Sequence, residues 1–179
     1  MHIVFETPRL ILRRFTENDA SLLLELNSDP AVVKYVDEAT LENEEQAKKI
    51  ITAIILPQYK TNLGRWALHL KTTNEFIGWC GLKSLPEKNE IDLGYRLMQH
   101  YWGNGFATEA ALHTLQYGFN ELNLKVIMGK AHINNSASLK VLQKIGMTYK
   151  GEEIENESRI KIFTMNNRHQ GEFVAIPPL

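Results

Sequence analysis

The sequence is poor in three features that would each define a class of protein: cysteine, net charge and long apolar runs. Its one cysteine, Cys80, excludes an internal disulfide. The formal net charge of -1 gives no overall basic surface, which argues against nucleic-acid binding. No apolar run approaches the roughly 20 residues of a membrane span, and the N-terminus MHIVFETPRL lacks the apolar core of a signal peptide. We therefore expect a cytoplasmic protein without a membrane or nucleic-acid partner.

Patterns for metal ligation and thiol chemistry are also missing. The six histidines show no metal-ligand spacing and include no His-Glu-x-x-His, so we expect no metal site. Cys80 lies in the apolar run from Phe76 to Leu82, which predicts a small buried residue instead of a nucleophile.

The composition is that of an ordinary globular protein. The 179 residues are 44% hydrophobic and 23% charged, enough for one domain with a sizeable core. We expect a single domain over residues 1–179 with its core in residues 8–170, ending in an irregular tail at residues 176–179.

The most informative stretch runs from Gly94 to Ala111, where a strand pattern meets a glycine-containing turn and then a helix pattern. Residues 90–98 alternate between apolar and polar, as in a strand. From about Gly105 the apolar residues recur at spacings of three and four, as in a core-facing helix. Small residues in the turn at residues 102–108, with free N–H groups at the start of a helix, predict an anion site.

Two known phosphate-binding motifs do not match this turn. A P-loop ends in Gly-Lys-Ser or Gly-Lys-Thr, but Gly105 is followed by Phe106, so the lysine and the magnesium-binding hydroxyl are missing. A dinucleotide fingerprint needs a third glycine that this turn lacks. A nucleotide-dependent phosphotransferase is therefore disfavoured. From the glycine spacing alone, a tight turn that binds no ligand remains the alternative.

Three separated motifs resemble the GNAT superfamily of N-acetyltransferases. Its acyl-CoA loop reads Gln or Arg, two residues, Gly, one residue, then Gly or Ala, and Trp102, Gly105 and Ala107 fall on those positions with Trp as a departure. The segments at residues 7–13 and 135–147 resemble the opening strand and the late helix of the branch that contains the ribosomal-protein N-terminal acetyltransferases. The motifs occur in the family's order and cover most of the chain.

The periodicity along the chain predicts an α+β (mixed α/β) fold, a mixed sheet of about seven strands with helices on both faces. This agrees with the fold that the resemblance implies, in which the sheet splays between its fourth and fifth strands. The predicted strands are residues 9–15, 65–70, 76–82, 90–98, 125–132, 148–153 and 159–165. The predicted helices run from Thr16 to Leu26, from near Leu41 to Pro57, from about Gly105 to Leu122 and over residues 136–145.

The resemblance implies that acetyl-CoA is the co-substrate, with its pantetheine arm in the splay and its pyrophosphate on the loop. Asn135 is expected to cap its own helix or to bind the pantetheine arm. The implied cofactor-binding residues are Leu97, Met98, Trp102, Gly103, Asn104, Gly105, Phe106, Ala107, Thr108 and Asn135.

The chemistry needs a base for the attacking amine and a proton donor for the leaving thiolate. Glu90 and Asp92 point to the same face of the predicted central strand, and the register favours Asp92 as base; solvated strand carboxylates remain the alternative. Many family members have a tyrosine where this chain has Leu142. The branch that the chain resembles has a serine at position 138, so the resemblance implies Ser138 as the candidate acid; the alternative is a serine that supports local hydrogen bonding.

The leading hypothesis is an acetyl-CoA-dependent N-acetyltransferase that transfers the acetyl group directly to a primary amine. The branch suggests a protein N-terminus, while polyamines and aminoglycosides stay open, since residues 31–59 and the late hairpin carry no readable code for the acceptor. An acidic stretch at residues 152–157 either attracts a cationic amine or forms a solvated turn. A non-catalytic acyl-CoA-binding module and a homodimer also remain open.

Overall fold

A mixed sheet runs through the computed structural model, which describes residues 2–36 and 38–167. Its strands are β1 (Ile3–Glu6), β2 (Leu10–Arg14), β3 (Gly64–Leu70), β4 (Phe76–Leu85), β5 (Glu90–Leu97), β6 (Val126–His132), β7 (Thr148–Glu155) and β8 (Ser158–Asn166). Within the described residues these eight strands form one sheet in the order β1-β2-β3-β4-β5-β6-β8-β7. The β5–β6 pair is parallel and its neighbours are antiparallel. The mixed α/β fold predicted from the sequence is confirmed.

The helices are α1 (Ala20–Ser28), α2 (Pro30–Val33), α3 (Glu44–Ile50), α4 (Leu56–Gln58), α5 (Phe106–Asn120) and α6 (Ser136–Lys144). They cover both faces of the sheet, because successive strand residues point to opposite sides. On β5 the hydroxyl of Tyr95 contacts α6 at Ser138, while the next residue, Arg96, contacts α1 at Asn27. Thus α5 and α6 pack on one face and α1 and α3 on the other. None of the helices among the described residues has the length and apolarity of a membrane span.

Local sequence explains the two hairpins and the caps that position the site. β3 and β4 pair antiparallel across the turn that contains Asn74, which has a φ of 56°. β7 and β8 form the predicted closing hairpin. Asn135 caps α6 by accepting a hydrogen bond from the Ser138 N–H at 3.1 Å, and Gly146 follows the helix with a φ of 84°. Each of these features was predicted and is confirmed.

β5 and β6 separate soon after they meet. Their register has two residue pairs, Asp92 with Met128 and Leu93 with Gly129, although the strands are eight and seven residues long. The remainder of β5, including Tyr95, therefore diverges from β6. This is the splay that was expected between the fourth and fifth predicted strands, and it opens beside Asp92.

The sheet has one strand more than the sequence predicted. β1 has only four residues and pairs with β2 across an irregular register. Its local pattern is weak, and its stability comes from distant contacts: the Phe5 ring stacks on Tyr117 at 5.0 Å and meets the edge of Trp66 at 5.7 Å. A four-residue edge strand of this kind depends on tertiary packing that periodicity does not reveal.

The second helix begins and ends at different residues in the structure from those predicted. It begins at Glu44 instead of near Leu41, because the Asn43 side chain caps it by accepting the Gln46 N–H at 3.0 Å. It also continues past the predicted stop at Pro57. A π-helical turn over Ile51–Ile55 precedes α4, and Pro57 occupies the first turn of α4, where its missing N–H costs little. The predicted tail at residues 176–179 lies outside the described residues.

Candidate active site

The turn between β5 and α5 has the geometry of an anion site. Gly103 and Gly105 have φ angles of 80° and 79°, a left-handed conformation that glycine adopts without strain. Gly105 is the N-cap of α5, and the Glu109 N–H is the first in the helix with an intrahelical acceptor, the Gly105 carbonyl at 3.0 Å. The preceding N–H groups, through Thr108, therefore face outward at the positive end of a 15-residue helix.

A buried carboxylate ties this turn to the beginning of the chain. Glu109 accepts hydrogen bonds from the Thr7 hydroxyl at 2.6 Å, the Arg9 backbone N–H at 2.8 Å and the Arg9 Nε at 2.6 Å. Burial alone would raise the pKa of Glu109, but these bonds outweigh it and lower the pKa. Glu109 is thus an ionised anchor. No motif in the sequence indicated this role for Glu109.

Glu109 holds the cation Arg9 beside the turn. Its Nη1 donates to the Asn104 carbonyl at 3.1 Å, and its guanidinium lies 4.6 Å from the centre of the Phe106 ring. A Cβ atom on Gly105 would lie 3.5 Å from Arg9 Nη2. Since the Arg9 side chain is 45% exposed, its remaining donors are open to a ligand on the turn.

The other predicted cofactor residues divide into two groups. Trp102 is 48% exposed beside the turn, and its Nε1 donates to the Leu97 carbonyl at 2.8 Å. Asn104 donates its side-chain amide to the carbonyls of Tyr101 and Trp102. Leu97 and Met98 instead have buried side chains, and the Met98 N–H donates to the Ile77 carbonyl at 3.0 Å. Their side chains are therefore unavailable to a ligand in this structure.

Asp92 lies at the point where β5 and β6 part. Its Oδ1 is buried and has no hydrogen-bond partner among the described residues. Burial raises the pKa of Asp92 to about 7, with Glu155 and Glu90 adding to the effect and Lys130 and Lys83 opposing it. A carboxyl group with this pKa exchanges protons at neutral pH, as a general base must.

Glu90 has a different environment although it shares the face of Asp92. Its Oε2 lies 3.2 Å from the Nζ of Lys130, which also lies 3.1 Å from Glu155 Oε1. Glu90 is therefore already paired with a cation. Glu90 Oε2 and Asp92 Oδ1 are both buried without a hydrogen-bond partner among the described residues, but only Glu90 has an ion pair.

Ser138 contacts the hydroxyl group of Tyr95, which no sequence motif indicated. The Tyr95 and Ser138 hydroxyl oxygens lie 2.9 Å apart, and the Tyr95 hydroxyl also donates to the Ser138 carbonyl at 3.1 Å. Burial is the largest effect on Tyr95 and raises its pKa, so its proton is retained at neutral pH. Leu142, at the usual tyrosine position, is buried and a Cβ on Gly129 would lie 2.7 Å from its side chain. Tyr95 thus supplies a phenol near the splay from a different element.

The glutamates of the acidic stretch on β7 form ion pairs with neighbouring cations. Glu152 pairs with Arg159 at 2.6 Å, and Glu155 pairs with Lys88 at 2.7 Å. Glu153 lies 3.7 Å from the same lysine. Two of these glutamates line a groove of about 240 Å³ whose other walls are Met128, Lys150, Gly151 and Ile162. Because Glu153 and Glu155 share Lys88, and Lys130 is shared with Glu90, these ion pairs reduce the negative charge of the stretch without cancelling it.

Cys80 is buried, as predicted. Its sulfur lies 3.3 Å from the Thr114 hydroxyl, and burial raises its pKa to about 12.

The face of the sheet that carries Asp92 also carries two arginines, Arg65 on β3 and Arg96 on β5. Trp79 lies on β4 opposite Arg96, with the Arg96 guanidinium 5.6 Å and the Arg65 guanidinium 4.7 Å from its ring centre. Arg96 Nη1 donates to Asn27 Oδ1 at 2.7 Å and to Glu38 Oε2 at 2.8 Å. These residues are far apart in sequence, and no motif indicated the cluster.

Comparison with known proteins identifies the family. A model of the "Acetyltransferase (GNAT) domain" matches residues 9–148. An uncharacterised N-acetyltransferase, p20, of Bacillus licheniformis is 34% identical over 146 residues, which cover 81% of this chain and 82% of that protein.

Two solved structures share the fold. The ribosomal L7/L12 alpha-N-protein acetyltransferase RimL in complex with coenzyme A matches with a TM-score of 0.81 at 17% identity, covering 92% of this chain and 98% of that chain. Spermidine N-acetyltransferase from Vibrio cholerae, in complex with CoA and spermine, matches with a TM-score of 0.76 at 18% identity, covering 88% and 95%. With the family model and the curated N-acetyltransferase relative each spanning most of the sequence, the chain belongs to the GNAT family of acetyltransferases and is an N-acetyltransferase.

Proposed function

We propose that the protein transfers an acetyl group from acetyl-CoA directly to a primary amine, with Asp92 as the general base. The observation that carries the proposal is the buried, unpartnered Oδ1 of Asp92 at the β5–β6 splay, together with a pKa of about 7. A base with this pKa is deprotonated in a large fraction of molecules near neutral pH and still accepts a proton effectively.

The residues around the splay fit acetyl-CoA. The outward N–H groups of residues 103–108 and the guanidinium of Arg9 form a positive surface suited to a pyrophosphate. The divergence of β5 from β6 leaves backbone groups available for an extended pantetheine arm. When bound, acetyl-CoA supplies an acyl group that is activated as a thioester.

The proton transfers are assigned to three side chains. Asp92 accepts the proton that the amine nitrogen loses as the new C–N bond forms and the C–S bond breaks. The leaving sulfur takes a proton from the Tyr95–Ser138 hydroxyl pair. Lys130 and Lys83 keep the pKa of Asp92 from rising further, so the carboxylate remains available near neutral pH.

For the acceptor we propose an amine of the protein N-terminus type. The support is the sequence resemblance to the N-terminal acetyltransferase branch and the RimL-like fold. The fold of spermidine N-acetyltransferase supports a small polyamine as the second candidate. Charge favours the first candidate, because the glutamates of β7 are paired with Lys88 and Arg159.

A non-catalytic acyl-CoA-binding module is the alternative function. The buried Leu142 at the usual tyrosine position favours it. Against it stand the unpartnered oxygen of Asp92 and the hydroxyl pair near the splay, which a module that only binds acyl-CoA does not need.

A calorimetric titration with acetyl-CoA tests the proposal, with dephospho-acetyl-CoA and ATP as comparison ligands. We expect saturable binding of acetyl-CoA at micromolar concentrations, on the order of 8 kcal/mol. Thiol release with a panel of amines and N-terminal peptides then tests transfer. Binding without thiol release for any amine would support the module, and no binding by a folded sample would reject the co-substrate.

A further inference from the structure

Arg65 has only two partners among the described residues, a long ion pair with Glu38 and the ring of Trp79. Its side chain is only 17% exposed, and its nearest carboxylate oxygen, Glu38 Oε1, lies 3.9 Å away, beyond hydrogen-bonding distance. Among the described residues, none accepts a hydrogen bond from its guanidinium. Arginine has five N–H donors in a planar fork, and burying them without acceptors is costly. The Arg65 side chain therefore offers unused donors on the face of the sheet that carries Asp92.

The charged groups around Arg65 also leave an excess of positive charge. Glu38 is shared with Arg96, whose Nη1 lies 2.8 Å from Glu38 Oε2. Burial would raise the pKa of Glu38, but the nearby Arg96 and Arg65 outweigh it and lower the pKa, so Glu38 contributes one full negative charge. Arg65, Arg96 and Lys83 share this face with two carboxylates, Glu38 and Asp92, which leaves a net positive charge. An anionic ligand group would balance it.

The Trp79 ring connects this positive site to Asp92. Arg65 lies 4.7 Å from the ring centre on one side. The ring also extends over Gly94, since a Cβ atom there would lie 3.1 Å from Trp79 Cζ3. Asp92 precedes Gly94 by two residues on β5 and therefore shares its face. The sheet register thus places Arg65, Trp79 and Asp92 on one face, with the buried Trp79 ring packed between the guanidinium and the strand of the candidate base.

We propose that the acceptor is an amine that also carries a carboxylate, with the amine at Asp92 and the carboxylate paired with Arg65 on the same face of the sheet. This rests on the proposed acetyl transfer and specifies its substrate class. A polyamine fits poorly, because its second ammonium group would lie among Arg65, Arg96 and Lys83. The carboxylate belongs either to a free amino acid or to an acidic side chain near a peptide N-terminus.

Matched acceptor pairs test the proposal and separate these two sources. The small-molecule pair is γ-aminobutyrate and propylamine, which differ by the carboxylate. The peptide pair has aspartate or asparagine at the second position after a common N-terminal residue. Thiol release from acetyl-CoA gives kcat and KM for each acceptor, and spermidine is included as the polyamine.

The variants are Arg65→Met, which keeps an apolar chain over Trp79 without the charge, and Glu38→Gln, which makes the site more positive. Wild-type protein should prefer the carboxylate member of at least one pair by about 10-fold or more in kcat/KM. Arg65→Met should abolish this preference through a higher KM and leave the neutral member unaffected. Glu38→Gln should increase the preference for the carboxylate member. Lys49→Met, which removes an exposed cation on α3, should leave it unchanged.

The outcomes distinguish this inference from the proposed function. Equal use of both members of each pair, a preference for spermidine, or a preference that survives Arg65→Met would overturn the inference while acetyl transfer stands. Failure of every amine together with failure to bind acetyl-CoA would instead reject the proposed function.

Discussion

The hydroxyl oxygens of Tyr95 and Ser138 lie 2.9 Å apart, joining β5 to α6 beside the splay of the sheet. A proton given up by one hydroxyl can be replaced from the other, so the two side chains form one donor. The high pKa of Tyr95, caused mainly by burial, keeps that donor protonated at neutral pH.

Removing either hydroxyl should therefore slow the reaction without weakening cofactor binding. We expect Tyr95→Phe and Ser138→Ala each to lower kcat by about 10-fold to 100-fold and to leave the acetyl-CoA dissociation constant unchanged. The double variant should be no slower than the worse single variant, because the groups act as a unit. Steady-state kinetics on the three variants would refute a shared donor if the two effects multiplied.

Activity should rise with pH through the pKa of Asp92. Burial raises that pKa to about 7, and the base is active only when ionised, so kcat/KM should increase from pH 6 to pH 8 with a midpoint near 7. Glu90→Gln removes one nearby negative charge and should move the midpoint to lower pH while keeping activity. A pH–rate profile for both proteins checks this; a midpoint near pH 4 would mean that a solvated carboxylate titrates instead.

The same group should make stability depend on pH. The pKa of Asp92 is 3.8 in an unperturbed chain and about 7 in the folded protein, so between these values the folded state holds a proton that the unfolded state has lost. Folding is then progressively destabilised as the pH rises through this window. Asp92→Asn removes the titration, so its stability relative to wild type should improve between pH 4 and pH 8.

Each pKa unit corresponds to about 1.4 kcal/mol, which makes the expected relative gain about 2–4 kcal/mol. Denaturant unfolding of both proteins at the two pH values measures it. A stability difference that stays constant with pH would show that Asp92 is not shielded from solvent.

Arg9 should contribute to co-substrate binding only through the diphosphate of acetyl-CoA. Its guanidinium lies over the Phe106 ring and donates a hydrogen bond to the Asn104 carbonyl in the turn between β5 and α5. We expect Arg9→Met to weaken acetyl-CoA binding by about 10-fold, in line with a hydrogen bond to a charged group. Acetyl-pantetheine, which lacks the diphosphate, serves as the control ligand. If both ligands lost affinity equally in calorimetry, Arg9 would act through the fold instead.

The strand, turn and helix around Gly105 could be predicted because their signals are local. Alternation on β5, a period of three to four on α5 and a glycine between them depend only on neighbouring residues. Asp92 was favoured over Glu90 as the base from the family resemblance and the register of the strand, and its role remains a proposal. The continuation of the second predicted helix past Pro57 could not be predicted, because a π-helical turn precedes the proline and removes its usual penalty.

The parts of the site that were missed depend on contacts between distant residues. Glu109 binds Thr7 and Arg9 across about 100 positions of sequence, and Tyr95 meets Ser138 across 43 positions. Arg65 and Trp79 meet only because β3 and β4 are adjacent in the sheet. In each case the residue type was visible in the sequence, but its partner was set by the way the sheet and helices pack.

The most direct test of the account compares binding and turnover in the Asp92→Asn variant at pH 8. The account predicts that this variant binds acetyl-CoA as tightly as wild type, while its kcat/KM for the best amine falls by about 100-fold or more. Glu90→Gln serves as the matched control and should retain most of the activity. An Asp92→Asn variant that binds acetyl-CoA and turns over like wild type would contradict the central claim that Asp92 is the base.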